Sequence, residues 1–496
     1  FTFTGGIANN GVTLDMTIDS GGSGITRFNL DSVLSGSGTV NFGNCTAYLT
    51  SANTFTGALV ASNSVLYVPT AGALGAAPLT LENGSELRIQ NNVDPGSAQI
   101  TLNNGTIWAF QNHMTLDTPI VLTGPGTIRS HNYGSNATLQ DNTIRLGGNT
   151  LTLLNATANP GYGNLYVYDK ITGSGSVVMG NGADTGTFWL YNTANDYTGS
   201  TTINSGRLMV QNDGVIPAGS DVVVNSPHSQ ALYVQNVSLT VGSLSGTGFV
   251  NTAASGALSV GYNNTSTSFG GKITGGGSLT KIGTGSLTLS GANSYTGATT
   301  VNGGTLFVHG TITSDTTVKS GATLGGGGAT RAVTVEGGGT LSPGNSPDQI
   351  LIGGNLTLAA GSNYLVEIVT GSMPGDGITG YDQAVVAGIL SVDGANLLVT
   401  ANASGIGLRR GQELVILDND ADEAVVGLFS GLAEGASLTV AGVPFFTVSY
   451  LGGTGNDVVL ISLVPEPAST GLVLLGAAGL LRRRRHRTGG AGDLSR

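Results

Sequence analysis

Apolar and polar residues alternate along most of the chain in runs of about four, each run broken by glycine or asparagine. In Leu287-Thr288-Leu289-Ser290 and Thr305-Leu306-Phe307-Val308 the alternation has period two. Leu287, Leu289, Leu306 and Val308 therefore share one inward face of two short strands. Helix-forming residues are scarce until the extreme C-terminus. The pattern predicts an all-β chain of short strands and tight turns.

The strands fall into repeats. Ala52-Asn53-Thr54-Phe55-Thr56-Gly57 recurs as Ala194-Asn195-Asp196-Tyr197-Thr198-Gly199 and as Ala292-Asn293-Ser294-Tyr295-Thr296-Gly297. Eleven residues after each final glycine stands Val68, Val210 or Val308, and two before each valine a leucine, Leu66, Leu208 or Leu306. A second marker, an aliphatic residue, Ser or Thr, then Gly-x-Gly, begins at Leu34, Leu122, Ile171, Leu244 and Ile273. From its first glycine to the asparagine of the following repeat is 17, 22 and 18 residues in the three complete copies, 34–68, 171–210 and 273–308. Asn53, Gly57, Asn195, Gly199, Asn293 and Gly297 are the turn residues that define them.

One such unit is too small to bury a core, whereas stacked coils bury a continuous apolar channel and pair each strand with the coils above and below. Thr, Ser and Asn suit this arrangement, because in-register polar side chains hydrogen-bond along the stack. The predicted fold is a right-handed parallel β-helix. At ~22 residues and ~4.8 Å per coil, residues 1–340 make roughly 15 coils and a rod of about 70 Å. Tandem β-sandwiches would need modules of about 100 residues; the repeats lie 142 and 98 residues apart. That irregularity favours the solenoid.

Composition narrows the function. The 496 residues include 82 Gly, and 9% are charged, against roughly 25% in ordinary soluble domains. With 39% hydrophobic residues the chain is not of disordered type, and its glycines lack the collagen triplet. Formal net charge is −11; residues from Val464 onward contribute +4, which leaves the body at −15. Such a body argues against nucleic acid as partner, since phosphate contacts need clustered Lys and Arg. Cys45 is the one cysteine, so no intramolecular disulfide or cysteine metal site forms, and a packed side chain is expected. The chain begins at Phe1 without Met, which is uninformative about a leader.

Candidate chemistry is thin, and no catalytic, cofactor-binding or metal-ligating residue is assigned. Gly452 to Leu460 matches one nonapeptide of a calcium β-roll, but a roll binds ions between successive coils, so a closing turn is expected. Asp418 to Glu423 begins like an EF-hand loop, yet Glu423 stands where Gly is required and Phe429 where Glu is. Asp15 and Asp19 could share a strand face, but no base-rich segment accompanies them. Arg27, Arg88, Arg129, Arg145 and Arg207 read as scattered singly. Tyr67, Met209 and Phe307 occupy equivalent positions of the repeats and read as isolated, outward or loop-covered residues, too far apart to stack.

The turn Ala-Asn-x-Tyr/Phe-Thr-Gly, the upstream Gly275 to Lys281 and the downstream Gly303 to Val308 resemble the autotransporter-associated β-strand repeat. The resemblance implies a passenger-like β-helix at the surface of a Gram-negative bacterium and no particular activity. From Leu341 the strands lengthen, as in Tyr364 to Val369 and Glu413 to Leu417, and residues 341–463 read as a β-rich region closing the rod. Residues 464–496 form a separate tail. Pro465-Glu466-Pro467 precedes an apolar run from Gly471 to Leu481, expected to be a short hydrophobic helix, then Arg482, Arg483, Arg484 and Arg485. Such a helix enters a bilayer with its arginines retained inside. From Ala468 to Leu481 it spans only about 21 Å, against a hydrocarbon core of ~30 Å, and so makes a poor permanent anchor. The tail resembles the PEP-CTERM sorting signal, which implies an exosortase-type membrane protease as partner, export, transient inner-membrane association, then delivery to the cell surface or matrix.

The expectation is an exported, non-enzymatic protein of the cell surface or exopolysaccharide matrix, adhesive or structural, with surface polysaccharide or other matrix components as possible ligands. The alternative is an enzyme that degrades or binds polysaccharide on the same scaffold. A true autotransporter would need a C-terminal barrel of at least eight strands, for which the roughly 120 residues before the tail are too few.

Overall fold

The computed structural model describes residues 2–3, 5–17, 27–90, 92–111, 114–130, 136–155, 164–344, 347–369, 380–401, 408–440 and 443–463. These residues form an all-β parallel solenoid of about 15 turns, and none of them is helical. The sorting tail, Pro465 to Arg485 included, and its expected helix lie outside the described residues, as does Asp19.

One face is a twelve-stranded sheet running from Thr2–Phe3 to Ser243–Ser245. Two eight-stranded sheets flank it, one from Leu14–Thr17 to Lys170–Thr172, the other from Met114–Leu116 to Lys272–Gly275. Further along, sheets of eight, seven and nine strands take over the faces. Neighbouring strands come from successive coils in parallel register, as in Leu287↔Leu306 and Leu289↔Val308. The inward residues of that pair are 0–1% exposed, the shared face the alternation predicts. Cys45 is packed into the same core, where burial pushes its thiol up.

Corners stack as well. Asn44, Asn63, Asn83 and Asn104 turn the same corner in four successive coils with φ between 47° and 62°, the left-handed region that asparagine tolerates better than most side chains. Asn63 Nδ2 donates to Asn44 Oδ1 at 2.8 Å, and Asn225 and Asn396 bond in the same way to Asn204 and Asn363. Lys281 is buried at another corner, where its ammonium donates to the carbonyls of Ile282, Gly283 and Gly303; burial pulls it down to about 8.

Parallel rungs continue past Leu341 as far as Asn396–Ala401. The rod is then capped by Glu413–Asn419, Asp457–Ser462, Val443–Gly452 and Ser437–Val440, which pair antiparallel. Under this cap Tyr364, Phe429 and Tyr450 pack in series, and Tyr364 Oη donates to the Ile416 carbonyl at 2.6 Å.

Candidate functional site

The repeat asparagines serve three coils at once. Asn195 Oδ1 accepts the Ile171 N–H of the coil before at 2.8 Å, and its Nδ2 donates to the Val215 carbonyl of the coil after at 2.9 Å. Asn53 does the same with Leu34 and Ala73, and Asn293 with Ile273 and Thr311. The glycines explain why the two markers travel together. A Cβ on Gly57, Gly199 or Gly297 would lie 1.7, 2.3 or 2.4 Å from the carbonyl oxygen of Gly38, Gly175 or Gly277, the second glycine of the Gly-x-Gly below it. Thr56, Thr198 and Thr296 donate their N–H to the first, Gly36, Gly173 and Gly275. These six turn residues hold the scaffold together; they are not a ligand site.

The outer face carries the chemistry. Alternation places Tyr48, Tyr67, Arg88, Trp108 and Arg129 outward, and the register stacks them in that order on consecutive rungs of the twelve-stranded sheet. Tyr48 and Tyr67 lie parallel with ring centroids 4.4 Å apart. The Arg88 guanidinium sits 5.2 Å from the Tyr67 centroid and 4.7 Å from that of Trp108, and Arg129 covers Trp108 at 4.3 Å. Arg27 lies over Tyr48 at 4.2 Å and donates to its hydroxyl. A bulge after Ile89 admits Phe110, edge-on to Trp108 at 4.8 Å. Arg88 is further held by Glu86 at 2.5 Å.

This overturns two expectations. Arg27, Arg88 and Arg129 are not scattered but share one column, and Tyr67 is not isolated. Its stacking partners are one coil away, about 20 residues, not one repeat away. Met209 is covered, but in register between Trp189 and Tyr233, and Phe307 stacks on His309 at 6.2 Å. Around Met209 a second aromatic group forms on another sheet: Tyr168 and Tyr191 stack at 4.4 Å, with Tyr166 and Trp189 beside them. Burial pushes the Tyr166 and Tyr191 hydroxyls up.

The remaining candidates are engaged in structure. Asp15 Oδ1 accepts from Asn41 at 2.7 Å. The two calcium-like segments meet in the cap, where Asn456 Nδ2 donates to the carbonyls of Asn419, Ala421 and Glu423, and the Asp457 carboxylate accepts the N–H groups of Asn419 and Thr454 at 2.8 Å each. Asp382 and Glu367 line a groove of about 240 Å³ near Phe307. Burial, with Glu367 and Asp348 adding to it, pushes the Asp382 carboxyl up to about 7. Both its oxygens accept backbone N–H groups, of Asp348 at 3.0 Å and Glu367 at 2.8 Å, so it ties strands together.

Comparison with known proteins points the same way as the repeats. Residues 172–210 and 279–308 match the family described as passenger-associated-transport-repeat. Over 190 residues, 36% of this chain, the sequence is 38% identical to the adhesin BmaC autotransporter of Brucella suis biovar 1 (strain 1330). The aligned stretch covers 6% of that adhesin. The copy at 34–68 lies outside the family match, yet it shows the same asparagine bridge and glycine approach.

Proposed function

We propose that the chain is an exported, non-enzymatic β-solenoid of a bacterial cell surface or exopolysaccharide matrix, adhesive or structural in action. The observation that carries this reading is the outward stack of rings and guanidiniums from Arg27 to Arg129, set on a rod whose polar interior groups are spent on the coil-to-coil ladder. A rigid scaffold presenting aromatic and arginine side chains is the composition of a recognition face. The similarity to an adhesin supports it. Delivery would run through the tail: Pro465, Glu466 and Pro467 offered to an exosortase-type membrane protease, while the apolar run and Arg482 to Arg485 hold the chain transiently in the inner membrane.

Mass spectrometry of the surface fraction from an exopolysaccharide-producing host tests this. The expected product is surface-exposed protein without Arg482 to Arg485, and Glu466→Ala should lower its release with the uncut chain collecting in the inner membrane. An intact C-terminus ending at Arg496 on surface-exposed protein would overturn the sorting route.

A further inference from the structure

The column from Arg27 to Arg129 differs from the Trp189 group in carrying charge. The body is at −15, yet three of its eight arginines line this one face. Glu86 answers Arg88, but among the described residues Arg129 has no carboxylate partner, and its Nε is buried without an acceptor. Stacking of the guanidiniums against Tyr48, Tyr67 and Trp108 holds them flat and fixed while leaving N–H edges to bind an anion in fork geometry. Rings that immobilise the arginines in advance lower the entropy cost of binding.

We propose that this column binds an acidic polysaccharide lying along the rod, with uronate carboxylates on Arg27, Arg88 and Arg129. The proposal rests on the adhesive reading above and names its ligand. Spacing decides between polyanions. Arg27 and Arg88 are three rungs apart and Arg88 and Arg129 two, about 14 and 10 Å at ~4.8 Å per rung. One rung is close to the rise of one sugar in an extended polyuronate, so a chain with a carboxylate on every sugar meets each arginine in register. An extended acidic peptide repeats its side chains on one face every ~6.7 Å and falls out of step. Tyr48, Tyr67 and Trp108 are positioning residues: they orient the guanidiniums.

The test is titration of the purified full chain with polygalacturonate, with its fully methyl-esterified form and with polyglutamate, followed by calorimetry. Polygalacturonate should bind, and the ester and polyglutamate should each bind at least about tenfold more weakly. Arg27→Gln and Arg129→Gln should each cost about tenfold, the loss of one charge-assisted contact. Arg129→Lys should recover part of it, and Tyr168→Ala in the uncharged group should change nothing; circular dichroism checks that each variant folds. Affinity should rise with oligomer length until about six sugars span Arg27 to Arg129. Equal binding of the ester or of polyglutamate, or an unchanged affinity in folded Arg129→Gln, would overturn the proposal. Surface delivery and cell adhesion persisting in that case would leave the adhesive reading standing and reject only this ligand.

Discussion

The hydroxyl chain inside the second repeat makes a sharp test of how the coils are held together. Tyr197 Oη lies 2.7 Å from Thr201 Oγ1, which lies 3.0 Å from Ser220 Oγ in the next coil, and Ser220 donates to the Gly199 carbonyl at 2.8 Å. The carbonyl fixes the direction: Ser220 donates to it, so Thr201 donates to Ser220 and Tyr197 to Thr201. All three side chains are buried, and burial pushes the tyrosine hydroxyl well above its ordinary range. Thr201→Val keeps the shape and breaks the middle link. It strands the Tyr197 donor, at about 1–3 kcal/mol, and removes a bond to Ser220 worth about 1 kcal/mol. Tyr197→Phe should cost only about 1 kcal/mol, because Thr201 still donates onward. The double variant should therefore be more stable than Thr201→Val alone, since no donor is stranded. Solenoids open rung by rung, so the assay is hydrogen exchange at Thr201–Ile203 and Val222–Val224, not a global melt. Thr201→Val should lower protection there by about 30- to 1000-fold, at tenfold per 1.36 kcal/mol, and adding Tyr197→Phe should restore at least about tenfold. Additive losses would refute the directed chain. The first repeat already contains the apolar version: Phe55, Leu59 and Ala77 stand where the second has Tyr197, Thr201 and Ser220.

Two further outcomes follow from the scaffold. Gly297→Ala places a methyl group 2.4 Å from the Gly277 carbonyl oxygen, backbone against backbone, and should cost about 3 kcal/mol or more; Gly219→Ala, where a methyl group meets open space, should stay within about 1 kcal/mol of the parent by differential scanning. Asp169 is buried with Oδ2 unpartnered, and burial, with Asp117 and Asp141 nearby, pushes it up to about 6 from an ordinary 3.8. The native state thus holds this proton more tightly than the unfolded chain, so the site weakens the fold as pH rises from about 4 to 6. Asp169→Asn should remove that slope and stabilise by on the order of 2–3 kcal/mol at pH 7; a steeper slope in the variant's denaturation curves would contradict the assignment.

How much of this was legible depends on which neighbour a side chain has. The repeat markers could be read because both ends of a strict constraint are written in the chain: Gly57 needs Gly38, Gly199 needs Gly175 and Gly297 needs Gly277, and the Gly-x-Gly and the Asn-x-aromatic-Thr-Gly keep their distance because they touch. Inward faces were legible for the same reason, since Leu287, Leu289, Leu306 and Val308 alternate without exception. The recognition column obeys a looser rule. Outward positions need only avoid clashing, so nothing forces the same residue type to recur at the same repeat position, and comparing Tyr67 with Met209 and Phe307 compared places that never meet. The informative interval was one coil. Tyr48, Tyr67, Arg88, Trp108 and Arg129 are separated by 19 to 21 residues, a run of aromatic and arginine side chains that is visible once the coil length is known. Coil length itself wanders, however: Arg129 pairs with Leu154, 25 residues on, and that is where the column ends. The insertion moves no inward residue off its rung, since Ile128 still meets Leu153. A solenoid can therefore lengthen its corners freely while the core keeps register, and it can begin or end a binding face at any coil without cost to the stack that supports it.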